Sequence, residues 1–116
     1  MDKQLDKQIT QYLSDNRDNF IKDLRDLLSF NSVNAPAVGN KPFGEEAAKA
    51  IDFMMKLCAD AGMETKNYDY YCMDASVGKG DEIIGALCHL DIVPAGDAND
   101  WDYPPFEGQM EGSLMY

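Results

Sequence analysis

The chain's single histidine stands two residues before an aspartate, in His89-Leu90-Asp91-Ile92-Val93-Pro94. Side chains two apart in an extended segment point the same way, so both groups can act on one site. An imidazole ligates a metal well when its second nitrogen donates to a carboxylate or carbonyl, which fixes its tautomer. The pair therefore suits divalent-metal chemistry, with His89 as a metal ligand and Asp91 as a nearby acidic group. The plainer reading is a structural histidine at a strand end, because His-x-Asp alone is a short motif.

The elements that must position the pair can be read around it. Ile83-Ile84-Gly85-Ala86-Leu87-Cys88 is a short apolar run ending directly before His89. Such a run reads as a fully buried strand, and ligands in open α/β sheets bind just outside the carboxyl ends of strands. Leu5, Ile9, Tyr12 and Leu13 have helical spacing in the polar segment 1–15. Asp15 or Asn16 can cap a following helix whose apolar face is Phe20, Ile21, Leu24, Leu27 and Leu28. Pro36, Gly39, Pro42 and Gly44 make 31–44 a loop. A further helix is predicted over 45–61, with Glu45 and Glu46 at its positive end. Its core face is Ala47, Ile51, Met54, Leu57, Cys58 and Ala61, and Gly62 supplies the stop. Strands are expected at 63–71 and 74–77, with Tyr68, Tyr70 and Tyr71 used in sheet packing. The order of elements predicts an α/β fold, a mixed sheet packed by helices.

A longer stretch carries a resemblance. His89-Leu-Asp91-Ile-Val-Pro94-Ala-Gly96, followed by Trp101-Asp102-Tyr-Pro104-Pro-Phe106-Glu107, resembles the zinc-dependent exopeptidase family. That family contains bacterial dipeptidases, carnosinases, aminoacylases, carboxypeptidases and amino-acid deacylases. The segment from Phe20 to Val33 is similar to their amino-terminal helix and its exit. The turn Gly78-Lys79-Gly80-Asp81-Glu82 resembles that of the dipeptidase V branch in particular. The similarity runs from about Asn16 to Tyr116.

The resemblance implies that residues 1–116 are the amino-terminal portion of a dinuclear-metal exopeptidase catalytic domain, with the lid domain and the rest of that domain absent. It implies two divalent metal ions in the full-length parent, zinc or alternatively manganese. His89 is then the first ligand to one of them and Asp91 the catalytic acidic residue that supports the site. The bridging aspartate, the paired glutamates and the remaining ligands are expected downstream. The segment 109–116 looks like the strand leading to them. Substrates would be dipeptides, and the piece alone would be inactive. Trp101 and Phe106 would shield the metal cleft. An amino-acid deacylase of the acetylornithine or succinyl-diaminopimelate type is the nearest alternative, and a non-catalytic module that kept the fold is another.

One position departs from the family pattern, which usually has glycine before the ligand histidine. Cys88 occupies it here. Adjacent strand residues point to opposite faces, so Cys88 and His89 do not readily share one metal, and a small buried thiol is the expected role. The acidic loop 97–102 also fails as a calcium loop of the EF-hand type. Counting from Asp97, Asp102 and Gly108 stand where that loop needs glycine and glutamate.

Composition narrows the setting. A net charge of −11 leaves no basic stripe for nucleic acid and disfavours anionic membrane surfaces. Three cysteines without Cys-x-x-Cys spacing argue against a closed zinc site and for a reducing compartment. The amino terminus has no apolar signal-peptide core, and no apolar run reaches the roughly 18 residues of a spanning helix. The expected location is the cytoplasm.

Overall fold

The computed structural model describes residues 2–116. Three helices come first: α1 (Lys3–Asp15), α2 (Arg17–Leu28) and α3 (Glu45–Asp60). Strands β1 (Glu64–Tyr68) and β2 (Cys72–Ser76) follow, then a single 3-10 turn at Ala98–Asp100, then β3 (Met110–Glu111) and β4 (Leu114–Met115).

Local chemistry sets most helix ends. Asp2 caps α1, its carboxylate accepting the Gln4 amide at 2.9 Å. Asn16 stands at the cap position of α2, as expected, but does not make the cap bond. Its side chain donates back to the Tyr12 carbonyl at 2.9 Å instead. At the end of α3, Gly62 takes a φ of +83°. The Gly62 amide donates to Ala59 and the Met63 amide to Cys58. This pair of bonds is a Schellman motif, which needs a residue in the left-handed region and so favours glycine.

Helix α3 is the hub. It packs against β1, β2 and α2. The buried apolar residues among those described are Ala48, Ala50 and Ile51, all on this helix. The expected core face is thus rotated toward the alanines, with Ala47, Met54, Leu57 and Cys58 half-buried and Ala61 exposed. Phe30, just past α2, meets Phe53 of α3 with ring centroids 5.6 Å apart. On α2 the apolar face is half-buried except for Phe20, which is exposed.

The sheets differ from the expected single mixed sheet. They are two separate antiparallel hairpins, β1–β2 and β3–β4. Tyr68 pairs with Cys72, leaving a three-residue loop in which Asp69 and Tyr70 both have positive φ. That backbone is costly for a tyrosine. It is held by the Tyr70 amide, which donates to Asn67 Oδ1 at 2.8 Å, and by the Tyr70 hydroxyl, which reaches Asp52 on α3 at 3.1 Å. Tyr68 donates to Asp74 across the hairpin at 2.6 Å, and Tyr71 meets Phe43 edge to face. The three tyrosines therefore serve the hairpin and its docking.

The larger correction concerns 83–88. No strand pairs with it, and Ile83, Ile84 and Leu87 are at least nine-tenths exposed. Cys88 is exposed as well, not a buried thiol. The composition of this run asks for neighbours on both faces. Within the described residues nothing supplies them. The radius of gyration is 17.0 Å, against about 13 Å for a compact chain of ~100 residues. The molecule is correspondingly open.

Two outcomes follow from this packing. Ile51→Ala should lower the unfolding free energy by about 2–4 kcal/mol, measured by denaturant unfolding, because Ile51 is the largest buried side chain of so small a core. Tyr68 and Tyr70 should ionise above the usual phenol range, because Asp74 and Asp52 accept their hydroxyl protons. A raised folded-state value means these bonds contribute below the unfolded phenol's range and are lost as pH rises through the folded one. Ultraviolet titration should show Tyr68 returning toward normal in Asp74→Ala.

Candidate functional site

The site segment is held from the exit of α2. Ser32 is 3% exposed, and its hydroxyl donates to the Leu90 carbonyl at 2.7 Å. The next residue, Val33, forms a parallel bridge with Ile92. Along 89–93 exposure alternates: Leu90 and Ile92 are half-buried, while His89, Asp91 and Val93 face out. This is strand periodicity, and it brings His89 and Asp91 to the same face.

The two side chains are in contact range. His89 Nδ1 lies 2.8 Å from the Asp91 backbone oxygen and 3.4 Å from Asp91 Oδ1. A carbonyl only accepts, so the neutral imidazole carries its proton on Nδ1 and keeps the Nε2 lone pair free. Both side chains are mostly exposed, 81% for His89 and 72% for Asp91. An imidazole oriented through Nδ1, with Nε2 open to solvent, is the form that ligates metal. The net charge of the chain, −11, favours cations over anions as ligands. Among the described residues, no group of three or more His, Cys, Asp or Glu side chains is placed to hold one.

The loop after the pair is organised by its own polar groups. Asp97 Oδ1 accepts from the Asn99 amide at 2.9 Å and from its side chain at 2.8 Å, making the turn at 98–100. Trp101 Nε1 folds back to the Ala95 carbonyl at 2.9 Å. Phe106 lines a groove of about 530 Å³ together with Ile21, Arg25 and Glu107, and neither His89 nor Asp91 lines that groove. With His89 so exposed, neither aromatic residue covers it.

The loop is fastened to α2 further on. Arg25 Nε donates to the Glu107 carbonyl at 3.2 Å. Gly108 is buried with a φ of +55°, and a Cβ there would stand 2.9 Å from Arg25 Cγ and 3.4 Å from Leu28 Cδ1. Glycine is required both by the backbone and by the approach of the helix.

Ser32 is the residue that sequence reasoning passed over. Its only signal is a small polar residue set between Phe30 and Val33 at a helix exit. A buried hydroxyl needs a partner, but the sequence does not say that the partner lies at Leu90.

The chain is similar to dipeptidase-like proteins over most of its own length. It is 40% identical over 92 residues to the "putative dipeptidase" of Staphylococcus aureus strain USA300 and to that of strain COL. The match takes in 78% of this chain and spans 19% of each relative's length. No protein-family model matches the chain. No described helix is long and apolar enough to cross a membrane.

Gly108→Ala should cost about 1–3 kcal/mol from the left-handed backbone. It should also separate Arg25 from Glu107, read as a lower denaturation midpoint and faster amide exchange around 106–109.

Proposed function

We propose that this chain is part of a metal-dependent dipeptidase, in which His89 is a metal ligand and Asp91 the acidic residue that orients and tunes it. The observation that carries the reading is the 2.8 Å contact from His89 Nδ1 to the Asp91 carbonyl, which leaves Nε2 free on the exposed face. The similarity to dipeptidase-named proteins supports the dipeptidase part of the reading.

The residues fit one ligand position of a divalent ion. Zinc suits an imidazole nitrogen, and manganese is the alternative. A catalytic zinc centre uses about three protein ligands and an open position, so the remaining ligands are assigned to a longer parent chain. The exposed run 83–88 supports that assignment, since its apolar side chains are suited to strands on either side. When bound, the metal polarises the peptide carbonyl and supplies a water of lowered pKa. His89 offers Nε2 in a fixed direction. Asp91 retains the Nδ1 proton through its backbone oxygen, with its carboxylate 3.4 Å away as a second partner for that nitrogen. The substrate is a dipeptide, and the 116-residue piece by itself does not turn it over. Three free cysteines suit a reducing cytoplasm.

The test is dipeptide hydrolysis by the longer chain that carries these residues. A chelator should abolish activity, and zinc or manganese should restore it. His89→Ala should lower kcat/KM by at least about a hundredfold and Asp91→Asn by about 10–100-fold, as for a ligand and its orienting partner. Hydrolysis that survives both the chelator and His89→Ala would rule the proposal out.

A further inference from the structure

We infer that Ser32 is a positioning residue for the His89–Asp91 pair, a role that rests on the metal-site reading above. Its hydroxyl binds the carbonyl of Leu90, the residue between the two site side chains, at 2.7 Å. The peptide plane from Leu90 to Asp91 is thereby fixed in rotation. The carbonyl that faces His89 Nδ1 lies in the next plane, Asp91–Ile92, joined to the first through Asp91 Cα. A change in the first plane not offset at Asp91 would carry that carbonyl away, and the ring would lose the partner that sets its tautomer and direction.

Several observations converge on this. Ser32 is the buried polar residue among those described, at 3% exposure. The residues before 89 are exposed and unpaired, so the segment receives no support from that side. Support comes instead from two adjacent points: the Ser32 hydroxyl and the parallel bridge of Val33 with Ile92. The bridge orients the strand, while the hydroxyl selects the angle of one peptide within it. A valine side chain at position 32 would fill similar space to threonine and offer no donor.

The experiment compares Ser32→Thr with Ser32→Val, which are alike in volume and differ in the hydroxyl. Carbonyl-labelled leucine combined with amide-labelled aspartate marks two Leu–Asp peptides in the 116-residue chain, Leu5–Asp6 and Leu90–Asp91. The Leu90–Asp91 signal should move in Ser32→Val and stay near its wild-type position in Ser32→Thr. Leu5–Asp6, in α1, should stay put in all three and serves as the internal control. Coincident Leu90–Asp91 signals in all three proteins, or equal movement in both variants, would overturn the inference.

A second arm uses zinc ion alone as the probe, in competition with a chromophoric chelator, on the longer chain. Zinc affinity should fall about tenfold or more in Ser32→Val and be kept in Ser32→Thr. His89→Ala separates the two ideas. If it leaves zinc affinity unchanged, the metal-site reading fails. If it weakens binding and Ser32→Val does not, the role of Ser32 fails alone.

Discussion

The alanine-rich buried face of α3 is the constraint on which the rest of the molecule depends. Ala48 and Ala50 carry no bulk, so neighbouring backbone can come close, and Ile51 supplies the apolar volume. The β1–β2 hairpin docks against this helix, and the exit of α2 meets it through Phe30 and Phe53. Once that exit is placed, Ser32 and Val33 have fixed positions, and only then can they receive Leu90 and Ile92. The geometry of His89 and Asp91 is therefore inherited from a helix that does not itself contain either residue.

Helices were the most legible part of the sequence, because each carries its own periodicity and punctuation. The start of α3 at Glu45, its stop at Gly62 and the division near Asn16 are all marked by local residues. What local residues do not encode is which side of a helix finds a partner. Phe20 belongs to the apolar stripe of α2 yet stands exposed, and the face of α1 bearing Leu5, Ile9, Tyr12 and Leu13 is open as well. Amphipathicity states a demand for burial, and only tertiary neighbours meet it. The run 83–88 makes the same point for strands. Its composition predicts a buried strand, but pairing depends on residues far away in sequence, and none of those described pairs with it.

The candidate site was legible in part. His89 and Asp91 sit on one face because alternation is a property of the backbone, which two-residue spacing already contains. That the Asp91 main-chain oxygen, at 2.8 Å, would be nearer to His89 than the carboxylate was not readable, since it depends on the twist of the segment. Ser32 was invisible for a different reason: a hydroxyl has no pattern of its own, and its partner is 58 residues away. The aromatic residues of the following loop were expected over the pair. Trp101 instead turns back to Ala95, because its indole N–H needs a nearby acceptor and finds one six residues earlier.

The distance along the chain between Ser32 and Leu90 also dictates an order of events during folding. The helices and the β1–β2 hairpin close through near neighbours, on timescales of about microseconds. Ser32 must wait for a residue 58 positions later, and Arg25 for one 82 positions later, so both contacts close large loops. On a ribosome, α2 would emerge long before Leu90 exists, leaving the Ser32 hydroxyl to water in the interval. The segment bearing the histidine is thus among the last parts of the molecule to settle. A newly made chain would pass through a state with its helices formed and its chemistry not yet assembled.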